Sequence, residues 1–352
     1  MYRGNYTLIG QELSMFTRKL EAQLRYQGIP YQWQYKCQEN TAAIDARAGT
    51  RFIPVLTTPD GWFISDTIAL GPLLHGRFHE VPVIPRTAAQ RGACFVLEDF
   101  FNHWLPRHAL HSRWCYPDNV SVIGQKFGLN VLLGKSIDEA PSESEQTQIA
   151  GFGQIMRDAF GAAACEVQGA GPDKKKHIQD DLTRMLAILR AHFEQHDFLL
   201  GGRACLADFA LVGPFKAHFL LDPEPRSWLG EHLVVMEDYV ERVWSGALAD
   251  TDWLANDAIP DTMEPLFEHA LNTYQRFAAS SLEASVTGEK FFELDLGDGP
   301  FTARSMKRLE KARLHVQDEL QRCAAEGSPL SATGVMDFYL KPAMFSPPQR
   351  TS

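Results

Sequence analysis

The sequence predicts an α/β domain joined to an all-α one, with an appended, mostly helical extension behind them. Three observations carry that prediction. Strand-like and helix-like patterns alternate through residues 1–82, helix-period apolar positions take over from Val83, and the pattern changes again after Asn256. At 352 residues the chain is too long for one small core, so domains are expected at 1–82, 83–256 and 257–352.

In the first domain, Tyr6-Thr7-Leu8-Ile9 is a strand, and Gly10 leads from it to a helix over 14–27. Phe16, Leu20 and Leu24 form one apolar stripe on that helix. Gly28 stops it in the C′ position and Pro30 follows. A strand over 31–36, a short helix over 41–48, strands over 53–57 and 62–64 and a helix over 66–78 complete the domain. Pro59-Asp60-Gly61 supplies the turn between the last two strands. Strand–helix–strand, then helix, hairpin and helix, is the thioredoxin-like order.

Val81-Pro82-Val83-Ile84-Pro85 is a linker, and beyond it helices are expected over 87–105, 146–164, 176–196, 206–221 and 231–245. Residues 117–145 are polar and punctuated by Gly, Ser and Pro, the pattern of a long loop with short helices. In the extension, helices are expected over 261–279 and 302–325, with a strand at 291–296 and a tail from Pro342. The apolar stripes of those two helices are too narrow to bury a core alone, so the extension is expected to pack on the helical domain.

A hydrophobic content of 45% with 22% charged residues is that of a globular protein. The net charge of −10 gives no electrostatic support for nucleic acid or an anionic membrane as partner. No apolar run reaches membrane-spanning length. Six scattered cysteines without a CxxC pair fit a reducing compartment better than a disulfide framework. Met1-Tyr2-Arg3 runs straight into a strand, so no signal peptide is expected, and the expected location is cytoplasmic.

Three short signals in a fixed order are candidates for chemistry. Ser14 opens the first helix, where its hydroxyl is either a simple N-cap or a donor to a bound group. Ile53-Pro54 enters a strand, as an ordinary strand-edge proline or as a turn that leaves the backbone of Ile53 free to pair with an extended peptide. Ser65-Asp66-Thr67 opens another helix, whose N–H groups and hydroxyl suit a carboxylate while Asp66 suits an ammonium. Together they suit a short, anionic, extended peptide that carries a thiol.

The order Ser14-Met15-Phe16-Thr17-Arg18-Lys19, Ile53-Pro54, Asp66-Thr67 resembles the glutathione-binding domain of the serine-type cytosolic glutathione transferases. Gly201-Gly202-Arg203-Ala204-Cys205-Leu206-Ala207-Asp208 resembles the buried capping motif of their all-helical C-terminal domain, with Cys205 where a serine or threonine usually stands. Met15 replaces the usual proline after the serine. The resemblance covers residues 5–78 and, more loosely, 83–245; for 257–352 it extends only to the longer bacterial forms.

The resemblance implies a transferase, of the detoxification type, that attacks a small hydrophobic electrophile with the glutathione thiol. It implies glutathione as co-substrate with no metal, Ser14 as the catalytic residue, glutathione held by Ser14, Ile53, Pro54, Asp66 and Thr67, and a homodimer. His103, Trp104, His108, His111, Arg113 and Trp114 cluster after the first long helix. No acid or cysteine stands at matching spacing, so a metal is not expected there. Trp104, His111, Arg113 and Trp114 are instead expected to line the pocket of the second substrate. The rival reading is a non-catalytic binding or scaffolding protein on the same fold.

Overall fold

A computed structural model describes residues 3–247, 251–322, 330 and 334–345. The N-terminal strands β1 (Tyr6–Gly10), β2 (Tyr31–Tyr35), β3 (Val55–Thr57) and β4 (Phe63–Ser65) form one sheet in the order β2-β1-β3-β4. β1 runs parallel to β2 and antiparallel to β3, which pairs antiparallel with β4. Side chains alternate across this sheet. Leu8 and Leu56 face α1 (Met15–Tyr26) and α3 (Thr67–Arg77), packing with Leu20, Leu24, Leu70 and Leu74. Ile9 and Val55 face the other way, onto Ile44 of α2 (Thr41–Ala48). Gly10 lets α1 close on β1, because a Cβ there would stand 2.4 Å from Thr17 Cγ2.

The second part is built around α4 (Ala88–Trp114). A helix is expected over 87–105, and Pro106, just beyond it, cannot donate to the ladder. The helix nonetheless continues through Pro106 to Trp114 and so absorbs the aromatic and basic stretch behind it. Residues 117–145 are expected to be a long loop with short helices, and short helices take up much of the stretch. α5 (Pro117–Phe127) occupies the first third, a π turn over Gly128–Leu133 follows, and α6 spans Glu143–Ile149. The glycines that resemble loop punctuation are contact points: a Cβ on Gly124 would stand 2.4 Å from Gly153 Cα of α7 (Phe152–Met156). A second π turn, Arg157–Gly161, joins α7 to α8 (Ala162–Val167).

α9 (Lys175–Phe193), α10 (Leu206–Pro214), α11 (Pro223–Trp228) and α12 (Leu233–Trp244) complete the helical layer. α10 packs directly on α1, where Gly213 meets Met15 O. Asp208 ties α10 down. Its carboxylate accepts from Cys205 N at 2.8 Å, Leu199 N at 3.1 Å and the Tyr239 hydroxyl at 2.9 Å. Complete burial nevertheless raises its pKa to about 6.

In the extension, α13 (Glu264–Ala270) passes through a π turn into α14 (Arg276–Thr287). β5 (Phe291–Asp295) then pairs antiparallel with β6 (Pro300–Arg304), and α15 spans Arg308–Arg322. The expected helix start at 302 is thus replaced by a strand. Its cause is the turn, in which Asp295 Oδ1 accepts from Gly297 N at 2.7 Å and Gly299 N at 3.2 Å. Both glycines have positive φ, 108° and 98°. The expected last turn of that helix, 323–325, and the end of the tail, 346–352, lie outside the described residues.

Leu266, Tyr274, Phe277, Phe292, Phe301 and Leu309 belong to the same buried cluster as Phe100, Trp104 and Leu186. The entry to the extension is tied to α4 as well. Asp257, at φ 57°, presents its two carboxylate oxygens to Ala89 N and Gln90 N, each at 2.9 Å.

Candidate functional site

The strand registers bring the three sequence signals to one end of the sheet. Ile9 stands opposite Val55, so Gly10, four residues before Ser14, stands level with Pro54. Val55 stands opposite Ser65, so Asp66 is level with Pro54 on the other side. The Ile53–Pro54 bond is cis. Neither Ile53 N–H nor its C=O pairs with another backbone group among the described residues.

Ser14 is the N-cap of α1, and its Oγ accepts from Thr17 N at 3.3 Å. Capping uses a lone pair of the oxygen and leaves the O–H free to donate. The loop before Ser14 is fixed by groups that sequence reasoning missed. Glu12 N donates to Asn130 Oδ1 at 2.9 Å, and the Glu12 carboxylate accepts from Ile137 N at 2.8 Å and Asn130 Nδ2 at 3.2 Å. Arg113 Nη1 donates to Leu13 O at 2.8 Å. Below the helix end, buried Lys19 Nζ bonds Glu98 Oε1 at 2.6 Å and Asn102 Oδ1 at 3.1 Å, joining α1 to α4.

Asp66 is the N-cap of α3 and holds φ 80°, a conformation that costs a non-glycine residue of order 1 kcal/mol or more. Its carboxylate accepts from Ile68 N at 3.1 Å and from Lys311 Nζ of α15 at 2.9 Å. Burial pushes its pKa up, but Lys311 and the Ile68 N–H outweigh it, and the net shift is downward. Thr67 follows as the first helical residue and is buried. Phe52 and Trp62, on either side of this strand pair, are 70% and 69% exposed.

Trp104, His111, Arg113 and Trp114, the residues expected to line the second-substrate pocket, are all buried in α4 packing, and the side chains of the first three are hydrogen-bonded within it. Trp104 Nε1 donates to Asp181 Oδ2 at 2.9 Å, and His111 Nδ1 donates to Ala170 O at 2.9 Å. Arg113 forms a two-pronged pair with Asp222, Nε to Oδ2 at 2.7 Å and Nη2 to Oδ1 at 2.8 Å, and also bonds Ala217 O. Trp114 packs on Phe127 and against Gly161. The reason is α4 itself: once the helix runs past Pro106, these residues face its neighbours. Of the four, only Arg113 reaches the candidate site, through the Leu13 carbonyl.

No group of three or more His, Cys, Asp or Glu that could hold a metal is found among the described residues. A cleft of about 760 Å³ lies elsewhere, between α5 and α6–α7, lined by Pro117, Gly124, Gln146 and Gln154 among others. Its lining carries no ionisable side chain, so it is no candidate for acid–base chemistry.

Residues 159–244 match the family model described as the glutathione S-transferase C-terminal domain. No curated protein matches the chain. Among solved structures, it is similar to a glutathione S-transferase from Pseudomonas fluorescens at 16% identity, over 68% of this chain and 94% of that one, with a TM-score of 0.38. It is similar to FzlA from C. crescentus at 16% identity, over 74% and 99%, with a TM-score of 0.41. It is also similar to a glutathione S-transferase of Ceriporiopsis subvermispora in complex with glutathione at 18% identity, over 68% and 99%, with a TM-score of 0.43. The architecture is thus a thioredoxin-like domain, a helical domain of the glutathione S-transferase C-terminal kind, and an added, mostly helical region.

Proposed function

We propose that the chain is a serine-type glutathione transferase, with Ser14 as the catalytic residue and glutathione held by Ser14, Ile53, Pro54, Asp66 and Thr67. The observation that carries this reading is the convergence of two capped helix N-termini and an unpaired backbone stretch at one end of the sheet.

Glutathione fits those groups by its chemistry. Its cysteinyl backbone pairs with Ile53, its α-carboxylate meets the N–H groups at the start of α3, and its ammonium meets Asp66. The thiol then lies toward Ser14. A thiol with a pKa near ~8.5 needs ~2.7 kcal/mol of selective stabilisation to lose two units. A hydroxyl donated to a charged sulfur contributes ~1.5–3 kcal/mol, and a helix N-terminus a further ~0.3–1. The free O–H of Ser14 at the head of α1 meets that requirement. The thiolate attacks a small hydrophobic electrophile, and a homodimer is part of the reading, with exposed Phe52 and Trp62 as apolar side chains available to a self-complementary contact.

One observation favours a second reading, a non-catalytic binding or scaffolding protein on the same fold. Lys311 already occupies Asp66, the group that would take the ligand ammonium. Glutathione titration with thiolate ultraviolet absorbance followed against pH separates the two, since a bound thiol with an unlowered pKa points to a binder. The decisive variants are Ser14→Ala and Ser14→Asp. Aspartate caps a helix as well as serine but repels a thiolate. Both are expected to lower turnover about ten- to several-hundred-fold, with only Ser14→Asp retaining thermal stability. Full activity in Ser14→Asp would overturn the serine role.

A further inference from the structure

Two cysteines meet on the helical domain, in the buried cluster that also holds Leu13 and Trp114. Cys115 ends α4, its N–H bonded back to His111 O at 3.0 Å. Cys165 lies in α8 and is buried. Their sulfurs are 3.9 Å apart, in van der Waals contact. Neither helix end is loose. The chain after Cys165 folds back so that Gln168 N and Ala170 N both bond Cys165 O, at 3.1 and 2.9 Å. Ala170 O accepts from the Cys115 thiol at 3.7 Å and from His111 Nδ1 at 2.9 Å. Arg157 Nε donates to Trp114 O at 3.2 Å, which fixes its guanidinium beside Cys115.

The two thiols differ in the way an attacking and a resolving cysteine must. Cys115 is partly exposed and Cys165 is enclosed. The bond from Cys165 draws the Cys115 thiol down, and His111 and Arg157 add positive charge to the same effect. Their mutual bond and burial hold the Cys165 thiol up.

We propose that Cys115 and Cys165 form a redox-active dithiol that reduces a small hydroperoxide and closes to a disulfide. The Cys115 thiolate attacks the distal peroxide oxygen. The O–O bond breaks, Cys115 becomes a sulfenic acid, and the leaving oxygen departs as water or alcohol after taking a proton. Cys165 Sγ then attacks the Cys115 sulfur; the S–S bond forms, the S–O bond breaks, and hydroxide leaves as water with the Cys165 proton. With hydrogen peroxide, two thiols and one peroxide give one disulfide and two waters. Closure requires the sulfurs to approach by about 2 Å from their contact distance. The step does not depend on glutathione binding at Ser14.

The test uses the full-length chain, reduced, freed of reductant and treated with a small excess of hydrogen peroxide. Trypsin then releases residues 114–126 and 158–174 as separate peptides, each with one of the two cysteines. The expected product is these peptides joined, two hydrogens lighter than the free pair, and separated again by a thiol reductant. Cys115 should be oxidised about tenfold faster than buried Cys37 of the same chain. In Cys165→Ser the sulfenic acid at Cys115 should persist and be trapped by dimedone. Oxidation of Cys115 to sulfinic acid in the wild type without the cross-link, or oxidation no faster than at Cys37, would overturn the proposal. Because the wild-type chain gives both readouts, a poorly folding variant does not obscure the result.

Discussion

The sheet end at Ser14, Ile53 and Asp66 and the α4 residues Trp104, His111 and Arg113 are linked through the bond from Arg113 to the Leu13 carbonyl, yet the polar groups of the two sets are in opposite states. At the sheet end, the Ser14 hydroxyl keeps its hydrogen, the Ile53 backbone pairs with no other backbone group among the described residues, and Asp66 holds a strained φ while meeting one exposed lysine. Along α4, each guanidinium nitrogen of Arg113 is bonded, Trp104 shares Asp181 with His108, and His111 is locked to Ala170. A site must keep binding capacity in reserve, whereas a buried network has to spend all of it on itself. Residue chemistry alone makes α4 look the richer of the two; the state of its hydrogen bonds makes it scaffold.

The sharpest way to break this contrast is Arg113→Met. It leaves the Asp222 carboxylate buried without its partner and frees the Leu13 carbonyl. Removing one member of such a pair costs about 3–5 kcal/mol, so chemical denaturation should show a midpoint far below wild type. An unchanged midpoint would return Arg113 to the list of substrate contacts.

A smaller effect should appear with pH in the scaffold. His192 is buried, donates from Nε2 to Phe198 O and accepts at Nδ1 from the Thr262 hydroxyl, so it is held neutral. Burial lowers its pKa from 6.5 to about 4. Between those values the unfolded chain carries the proton and the folded chain does not. Stability is therefore full above 6.5 and declines as pH falls toward 4, by up to about 3 kcal/mol. Burial also lowers the pKa of His177 and His269, with the same sign. Thermal midpoints measured from pH 7.5 to 4 should fall, and His192→Gln should fall less steeply; parallel slopes would rule out a neutral, locked imidazole.

The smallest effect belongs to the sheet end. Lys311 is 84% exposed in its pair with Asp66, and such pairs contribute little. Lys311→Ala should leave stability unchanged and tighten glutathione binding by no more than about fivefold. Weaker binding, measured by calorimetry, would mean that Lys311 contacts the ligand and does not compete with it.

The candidate site was legible in the sequence because each of its signals is local. An N-cap residue before a stripe of Phe16, Leu20 and Leu24, a proline entering a strand, and an acid before a helix are visible within a few positions. What escaped was whatever depends on distant partners. Glu12 and Asn130 are 118 positions apart, and Asp66 and Lys311 are 245 apart. No short window contains either pair. α4 passed unseen beyond Pro106 because tertiary packing on both sides of the helix outweighs one missing hydrogen bond. β6 was read as helix because Phe301 and Ala303 make a strand only when the Asp295 turn folds them back on β5.

The carboxylate of Asp257 on the first N–H groups of α4 has a consequence for how the chain is made. A ribosome delivers Ala89 and Gln90 long before Asp257, which bonds them across 168 and 167 positions. Until it emerges, the central helix has an open end, and Thr87 makes no side-chain cap to replace it. The sheet of the thioredoxin-like layer can pair as soon as it is synthesised, and the groups that fix α1 and the loop before Ser14 (Glu98, Asn130 and α10) all precede Asp257 in the chain. The helical layer must wait for the final quarter of translation, so a nascent chain stalled before Asp257 should hold a finished first domain and an unfinished second one.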